Sequence, residues 1–348
     1  MNKEVIEDVL GSYDKNSIRI GVLGSHSALD ICAGAKKQGF KTLVVCEKGR
    51  EKTYDKYYRV KTSSWGETGV VDETIVLEKF KDIVKPKILK LLEEKNVIFI
   101  PHRSFCVYVG YEAVENSFSI PIFGNRSLLK IEERNVEKNQ YYLLRKAGIK
   151  IPLIFKDYSE IDRTVIVKVK EKDRPYERAF FIVSSPEEFE KKVEELLKKG
   201  VIPEDFEKDM VIEEFVVGAQ FNFNFFYSPL TEELELLGID TRRQTNLDGI
   251  LKLPHPWQKE VVERVKIKYI EVGHIASTIR ESLLERVFEM GERFVEAAKK
   301  EFPPGVIGPF ALQSLVVPGP PREDIVVFDV SVRSPGSPGI MYTPYSYY

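Results

Sequence analysis

Four short segments carry side chains whose chemistries fit together. Lys168 lies in the strand-like run Thr164-Val-Ile-Val-Lys168-Val-Lys170, and Glu213, Glu214 and Val216 lie in Ile212-Glu-Glu-Phe-Val-Val217-Gly218. Gln313 follows in Gly308-Pro-Phe-Ala-Leu-Gln313-Ser314, and Asp329 in Val326-Val-Phe-Asp329-Val-Ser-Val-Arg333. A lysine is a point charge for phosphates. A strand edge beside Val216 can clasp a purine, and oxygen side chains suit magnesium, which keeps several waters and takes one or two carboxylates besides substrate phosphates. These are the parts an ATP-dependent ligase must assemble, and they make ATP and Mg2+ the expected cofactors.

Each part also has a plainer explanation. A lysine alternating with Val165, Val167 and Val169 faces away from them and is often simply solvated. Two adjacent glutamates face opposite ways, so one of Glu213 and Glu214 could face a nucleotide while the other does not. Asp329 stands among Val326, Val327 and Phe328, where a buried acid needs a cation or an arginine such as Arg333. The run Gly238-Ile-Asp240-Thr-Arg242-Arg243-Gln244-Thr-Asn246-Leu-Asp248-Gly249 mixes acids, arginines and amides, as the wall of a polar cleft would. His255 and His274 stand apart and read as structural.

A second polar group belongs to the first third of the chain. Ile18–Leu23 and Lys41–Cys46 read as strands around a helix that starts at Ala28, with Ser27 and Asp30 spaced as a capping box. Strands at 96–100 and 119–123 and a helix at 85–95 complete an alternating pattern that implies a parallel sheet. Ligands of such sheets bind beyond the strands' carboxyl ends. Those ends carry Gly24-Ser25-His26-Ser27, then His102-Arg103-Ser104, then Gly124-Asn125-Arg126. Hydroxyls at a helix start together with arginine suit a phosphate. The remainder reads as a helix over 128–146, a β-hairpin over 164–184 turning at Asp173-Arg-Pro175, and a helix over 186–199. Strands over 210–227, 233–240 and 248–253 follow, then a long helix over 281–302 and strands at 311–317 and 324–333. The fold class is therefore α/β plus α+β: an N-terminal parallel-sheet domain over 1–126, a smaller unit over 127–217 and a larger one over 218–348.

Composition narrows the function. The chain has 348 residues, net charge −2 and 43% hydrophobic residues, with no apolar run long enough for a membrane span. Neither a nucleic-acid nor a membrane partner is expected. An acidic N-terminus without a secretory core predicts a cytoplasmic protein. Cys32, Cys46 and Cys106 lack metal or disulfide spacing and read as buried small hydrophobes. Charged residues reach 30%, a composition that fits a thermophile.

The ordered segments resemble the archaeal formate-dependent synthetases that make FAICAR (5-formamidoimidazole-4-carboxamide ribonucleotide) from AICAR, formate and ATP. The resemblance rests on Gly24-Ser-His-Ser-Ala28, Phe123-Gly-Asn-Arg126, Val165-Ile-Val-Lys168, Glu213-Glu-Phe-Val-Val-Gly218, Phe226-Tyr-Ser228, Glu235-Leu-Leu-Gly-Ile-Asp240, Asn246-Leu-Asp-Gly249, Ile279-Arg-Glu-Ser-Leu-Leu284, Ile307-Gly-Pro-Phe310, Leu312-Gln-Ser314 and Pro344-Tyr-Ser346. It implies an ATP-grasp fold behind a pre-ATP-grasp domain, and formyl phosphate as the intermediate that the AICAR amine attacks. It implies that His26, Ser27 and Arg126 help hold the ribonucleotide, and Ser25, His102, Ser104, Asn125 and Asn246 are further candidates for it. It implies that Lys168 and Glu213 serve ATP and that Gln313 and Asp329 hold magnesium; Lys138, Glu214 and Val216 are further ATP candidates, and Arg242 and Arg333 are the candidate catalytic residues. It also implies a homo-oligomer.

Several positions depart from that family. The segment Lys170-Glu-Lys-Asp-Arg-Pro-Tyr-Glu-Arg-Ala179 replaces a glycine-rich phosphate loop, Ser334-Pro-Gly-Ser-Pro338 replaces Gly-Gly-Thr-Asn, and His102-Arg-Ser-Phe105 replaces His-Gly-Ser-Phe. Asp329 stands where glutamate is usual, and the chain stops where relatives continue into further helix. A divergent paralog that binds nucleotide without this turnover is the alternative.

Overall fold

In a computed structural model, residues 3–133, 136–170, 178–265, 267, 268 and 270–336 are described. Helix α1 (Lys3–Gly11) leads into β1 (Arg19–Leu23), α2 (Ala28–Lys37) and β2 (Lys41–Glu47). A small hairpin of β3 (Lys61–Ser63) and β4 (Gly66–Thr68) precedes β5 (Glu73–Leu77), α3 (Pro86–Glu94) and β6 (Val97–Phe99). The sheet order is β5-β2-β1-β6, parallel throughout. β1 and β2 are apolar on both faces, as a strand covered on both sides must be. Leu23, Leu43 and Val45 pack on one face, and Val22, Val44 and Ala28 on the other. Helices α4 (Arg103–Val109) and α5 (Tyr111–Asn116) close one side.

The strand expected at 119–123 is reduced to a bridge. Phe99 N–H donates to Pro121 O, and Phe123 N–H donates to Phe99 O, pairing Ile122 with Phe99. Pro121 has no N–H with which to extend the ladder. The Ser27–Asp30 capping box does not form either, because Ser27 Oγ bonds to His26 Nδ1 at 2.9 Å instead of capping α2.

The helix expected over 128–146 is interrupted. Leu129–Glu132 makes one 3-10 turn, and α6 spans only Gln140–Lys146, capped by Asn139 Oδ1 accepting from the N–H groups of Tyr141 and Tyr142. Next come β7 (Ile154–Phe155), β8 (Val165–Lys170), β9 (Arg178–Val183), α7 (Pro186–Lys198) and β10 (Val211–Glu214). They form an antiparallel sheet of order β7-β10-β8-β9. The expected hairpin is present, although its turn at 173–175 lies outside the described residues. Val165, Val167 and Val169 are fully buried against α7 residues Phe189 and Val193, so the opposite face of β8 carries Lys168.

The remaining strands are β11 (Ala219–Ser228), β12 (Glu233–Gln244), β13 (Glu271–Ala276), β14 (Gly308–Val317) and β15 (Asp324–Ser331). Their order is β13-β12-β11-β14-β15, all antiparallel. Residues 248–253, expected as a strand, instead begin inside α8 (Thr245–Ile250), which precedes α9 (His255–Arg264). Asp248 Oδ2 accepts from Gln244 N–H at 2.9 Å and fastens that first turn. Helix α10 (Leu284–Glu301) lies against the sheet's apolar face. A Cβ on Gly291 would meet Leu234 at 2.8 Å and Phe225 at 3.0 Å, so this helix sits close because it has no side chain there.

Candidate active site

Register makes the site. One lateral row runs across all five strands of the large sheet: Ala276, Asp240, Asn222, Gln313 and Asp329 are successive partners. Directly paired residues project from the same face of a sheet. The next row, Ile239, Phe223, Leu312 and Val330, faces the other way and sits in the core with Phe294 of α10. One face of this sheet is therefore a hydrophobic core and the other a polar floor.

The polar floor is tightly bonded. Asp240 is fully buried and accepts from Asn222 Nδ2 at 2.8 Å, Asn224 Nδ2 at 2.6 Å and His274 Nδ1 at 2.5 Å. Burial alone would lower the His274 pKa, but Asp240 and Glu271 overcome it and raise it to about 9. His274 Nε2 donates to Glu271 Oε1 at 2.8 Å. Glu271 Oε2 lies 2.9 Å from Arg242 Nε, and Arg242 Nη2 donates to Gln313 Oε1. His274 thus does not stand apart, contrary to the expectation from sequence.

A bulge in β15 sets the end of the row. Gln313 pairs with Asp329 but Ser314 pairs with Val327, so Phe328 is the extra residue. Bulges re-aim side chains beside active sites, and here Phe328 and Asp329 are both half-buried between buried Val327 and Val330. Asn222 Oδ1, in the same row, is buried and has no hydrogen-bond partner among the described residues. One carboxylate, one amide already bonded to arginine and one orphaned amide oxygen are a lean oxygen donor set. Magnesium fits such a set when phosphates and waters supply the rest. No cluster of three or more His, Cys, Asp or Glu able to hold a metal occurs among the described residues.

Facing this floor is the polar side of the small sheet. Lys168 Nζ lies 2.5 Å from Glu213 Oε2, with both side chains almost fully buried, and 6.0 Å from the centre of the Phe328 ring. The Tyr141 hydroxyl donates to Glu213 Oε1 and lies 3.2 Å from Phe328 O. Glu214 points the other way, accepting from Leu153 N–H at 3.3 Å. Val216 follows in the link between β10 and β11. Lys138 lies apart from this group, 3.1 Å from Glu301 Oε2 at the end of α10.

The strand ends of the N-terminal sheet divide into two groups. Ser25, His26, Ser27, His102 and Ser104 come together. His26 and His102 stack with centroids 5.4 Å apart, Ser104 Oγ donates to Ser25 Oγ at 3.1 Å, and Arg50 Nη2 donates to Ser25 Oγ at 3.3 Å. His26 adopts φ 52°, a left-handed conformation rare for a side-chain-bearing residue and frequent at functional sites. Burial, then the Arg333 charge, push its pKa down to about 2, so its ring is neutral. His102 is neutral too, lowered to about 4 by burial, and its Nε2 donates to Leu23 O at 2.9 Å.

Asn125 and Arg126 are engaged elsewhere. Asn125 Nδ2 donates to the carbonyls of Phe302 and Gly305, both at 2.8 Å. Arg126 spends its guanidinium on the carbonyls of Val114, Phe118 (2.7 Å) and Ile120 (2.8 Å). Asn246 Oδ1 accepts from Lys268 N–H at 2.7 Å. Arg333 takes Glu132 as its ion-pair partner at 3.1 Å, which answers the salt bridge left open between Arg333 and Asp329. Ser334 pairs with His102, and Gly336 follows so closely that a Cβ there would lie 3.1 Å from His26 Nε2 and 3.2 Å from His274 Nε2. The N-terminal cluster and the polar floor meet at this glycine.

The chain is similar to known proteins over nearly its whole length. Residues 20–155 match a family described as a protein of unknown function (DUF1246), and residues 188–348 a domain of unknown function (DUF1297). A 5-formaminoimidazole-4-carboxamide-1-(beta)-D-ribofuranosyl 5'-monophosphate synthetase of Methanothermobacter thermautotrophicus is 41% identical over 337 residues, covering 97% of this chain and 87% of that protein. Its Methanocaldococcus jannaschii counterpart is 41% identical over 350 aligned residues, covering 100% and 91%. The chain belongs to this synthetase family. The crystal structure of an IMP biosynthesis protein PurP from Thermococcus kodakaraensis superposes with TM-score 0.63 and 28% identity, covering 91% of this chain and 86% of that one. An ADP complex of purK, N5-carboxyaminoimidazole ribonucleotide synthetase, gives TM-score 0.59 at 12% identity, covering 91% and 70%, which carries the ATP-grasp fold alone. No helix among the described residues is long and apolar enough to cross a membrane.

Within this PurP-type architecture, sequence reasoning passed over Asn222, Asn224, Tyr141, Glu271 and His274. A signal for the first two was visible in Gln220-Phe-Asn-Phe-Asn-Phe225, where polar and aromatic residues alternate with period two. Glu271 and His274 sit on an edge strand without an apolar pattern, and only pairing with β12 brings them to the floor.

Proposed function

We propose that this protein is an ATP- and formate-dependent ligase that formylates the exocyclic amine of AICAR, giving FAICAR, ADP and phosphate. The observation that carries the reading is the polar row Asp240–Asn222–Gln313–Asp329 facing Lys168 and Glu213, with the His26 cluster joined to it at Gly336. Support also comes from family relatives that match over nearly the whole chain.

In this reading Lys168 holds ATP phosphates and the β10–β11 link at Val216 borders the base, with the Glu214 side chain turned away from it. A formate oxygen attacks the γ-phosphorus and ADP departs, leaving formyl phosphate. The AICAR amine then attacks the formyl carbon, phosphate departs and the amine loses one proton. Gln313 and Asp329, with Asn222 Oδ1, would hold magnesium, which supplies charge neutralisation at the transferring phosphoryl group. Arg242 adds a fixed cation where negative charge develops. His26, Ser25, Ser27 and Ser104 hold the ribonucleotide.

The test is ADP release measured with Mg-ATP, formate and AICAR, omitting each in turn. Release that requires all three, with FAICAR as product, is expected. ADP release that ignores formate or AICAR, or nucleotide binding without release, would favour the divergent paralog.

A further inference from the structure

Glu271 is the one carboxylate of the polar floor whose two oxygens engage two different cations on neighbouring strands. Oε1 accepts from His274 Nε2 at 2.8 Å, and Oε2 lies 2.9 Å from Arg242 Nε as an ion pair without hydrogen-bond geometry, which leaves that buried N–H unsatisfied among the described residues. Arg242 and His274 are direct partners across β12 and β13, so both project from the same face. Both cations are anchored from behind. His274 is held by Asp240, itself gripped by Asn222 and Asn224, and Arg242 is tied to Gln313. Glu271 is backed less firmly: beyond these two contacts, among the described residues, only the charge of Arg103 bears on it. It begins the edge strand, beside the register shift at Arg243/Gln244, and its side chain keeps 37% of its exposure whereas that of His274 keeps 6%.

We infer that Arg242 and His274 form a subsite for a small planar carboxylate, the acid substrate, and that Glu271 is a tethered carboxylate occupying that subsite until the free one displaces it. The inference rests on the ligase reading and assigns its acid subsite. Planar O–C–O geometry is common to the glutamate side chain and to formate, so the two cations that grip one can grip the other. Position agrees: the pair lies between Gln313, at the candidate metal row, and Gly336, beside His26. An acid bound there would sit between the phosphate donor and the amine acceptor. A resident carboxylate also keeps two cations paired when no substrate is bound, which limits the cost of holding them half-buried.

The experiment compares wild type with Glu271→Gln and His274→Gln by two readouts, steady-state KM values and line broadening of 13C-formate. Glu271→Gln keeps the shape and removes the competing charge. Its KM for formate is expected to fall about fivefold, the scale of one partly exposed ion pair, while KM for ATP and for AICAR hold. Formate broadening should set in at correspondingly lower concentration. In His274→Gln broadening should be lost. An unchanged formate KM in Glu271→Gln, or parallel rises in all three KM values, would make Glu271 a structural brace and overturn the inference. Should wild type release no formate-dependent ADP, the ligase reading fails, and the broadening series still decides the subsite: formate broadened equally by all three proteins, or by none, rejects it.

Discussion

Lys168 and Glu213 form a buried ion pair across adjacent strands, with Nζ and Oε2 2.5 Å apart and side chains only 10% and 2% exposed. Breaking such a pair from one side costs about 3–5 kcal/mol. Glu213→Ala should lower unfolding free energy by about that amount in chemical denaturation. Saturating Mg-ATP should restore more stability to the variant than it adds to wild type, because phosphate replaces the missing carboxylate. Equal nucleotide stabilisation of both proteins would remove Lys168 from the phosphate site.

Arg126 donates to three backbone carbonyls in the folded chain. Arg126→Ala removes bonds to the carbonyls of Val114, Phe118 and Ile120. Hydrogen bonds to a charged group are worth about 1.5–3 kcal/mol, so the melting temperature should drop while AICAR affinity by calorimetry holds. A selective loss of AICAR affinity at unchanged stability would return Arg126 to the ligand site.

Asp329 is half-buried, so its amide should fold normally. Asp329→Asn is expected to weaken magnesium-dependent ATP binding at least tenfold, roughly the 1.4 kcal/mol of one lost metal contact, with little change in melting temperature. Lower stability with intact nucleotide binding would instead assign Asp329 a purely structural role.

The His274 pKa, raised from 6.5 to about 9, makes a pH prediction. The folded state holds this proton more tightly than the unfolded chain. The stabilisation is therefore complete below about pH 6.5 and is lost as pH rises through about 9. Unfolding free energies measured across that window should decline in wild type and decline less in His274→Gln. Parallel curves would show that His274 titrates normally.

Gly336→Ala would push a methyl group to 3.1 Å from His26 Nε2 and 3.2 Å from His274 Nε2. The rings must shift by a few tenths of an ångström. AICAR KM should rise with ATP affinity unchanged, and two unchanged values would separate this glycine from the ribonucleotide.

Much of the layout was legible in sequence because strands with period-two alternation announce their faces. Lys168 among valines was readable for that reason, as was the run of strands and helices in the N-terminal sheet, whereas the placing of Asp329 depends on the bulge at Phe328. What stayed hidden depended on lateral register. Nothing local says that Asn222 will lie beside Gln313, or that Glu271 will reach Arg242. Side-chain economy was hidden as well. Arg126 and Asn125 look like ligand residues at a strand end, yet backbone carbonyls bond them: Arg126 to its own neighbourhood, Asn125 to Phe302 and Gly305 beyond α10. Helix α8 (Thr245–Ile250) stayed hidden because 248–253 reads as a strand, while Asp248 bonds backward to Gln244 and fastens a helical turn.

The alternation along β11 and β14 ties chemistry to folding. Asn222 and Phe223 are neighbours, as are Gln313 and Leu312, and each pair straddles the sheet. A one-residue slip of either strand would bury the amides under α10 and expose the aromatics to the cleft. Misregistered folding intermediates would therefore forfeit core and cleft together, so a chain that has settled its hydrophobic packing has already built its reaction floor. Proofreading of the fold and assembly of the site are the same event in this protein.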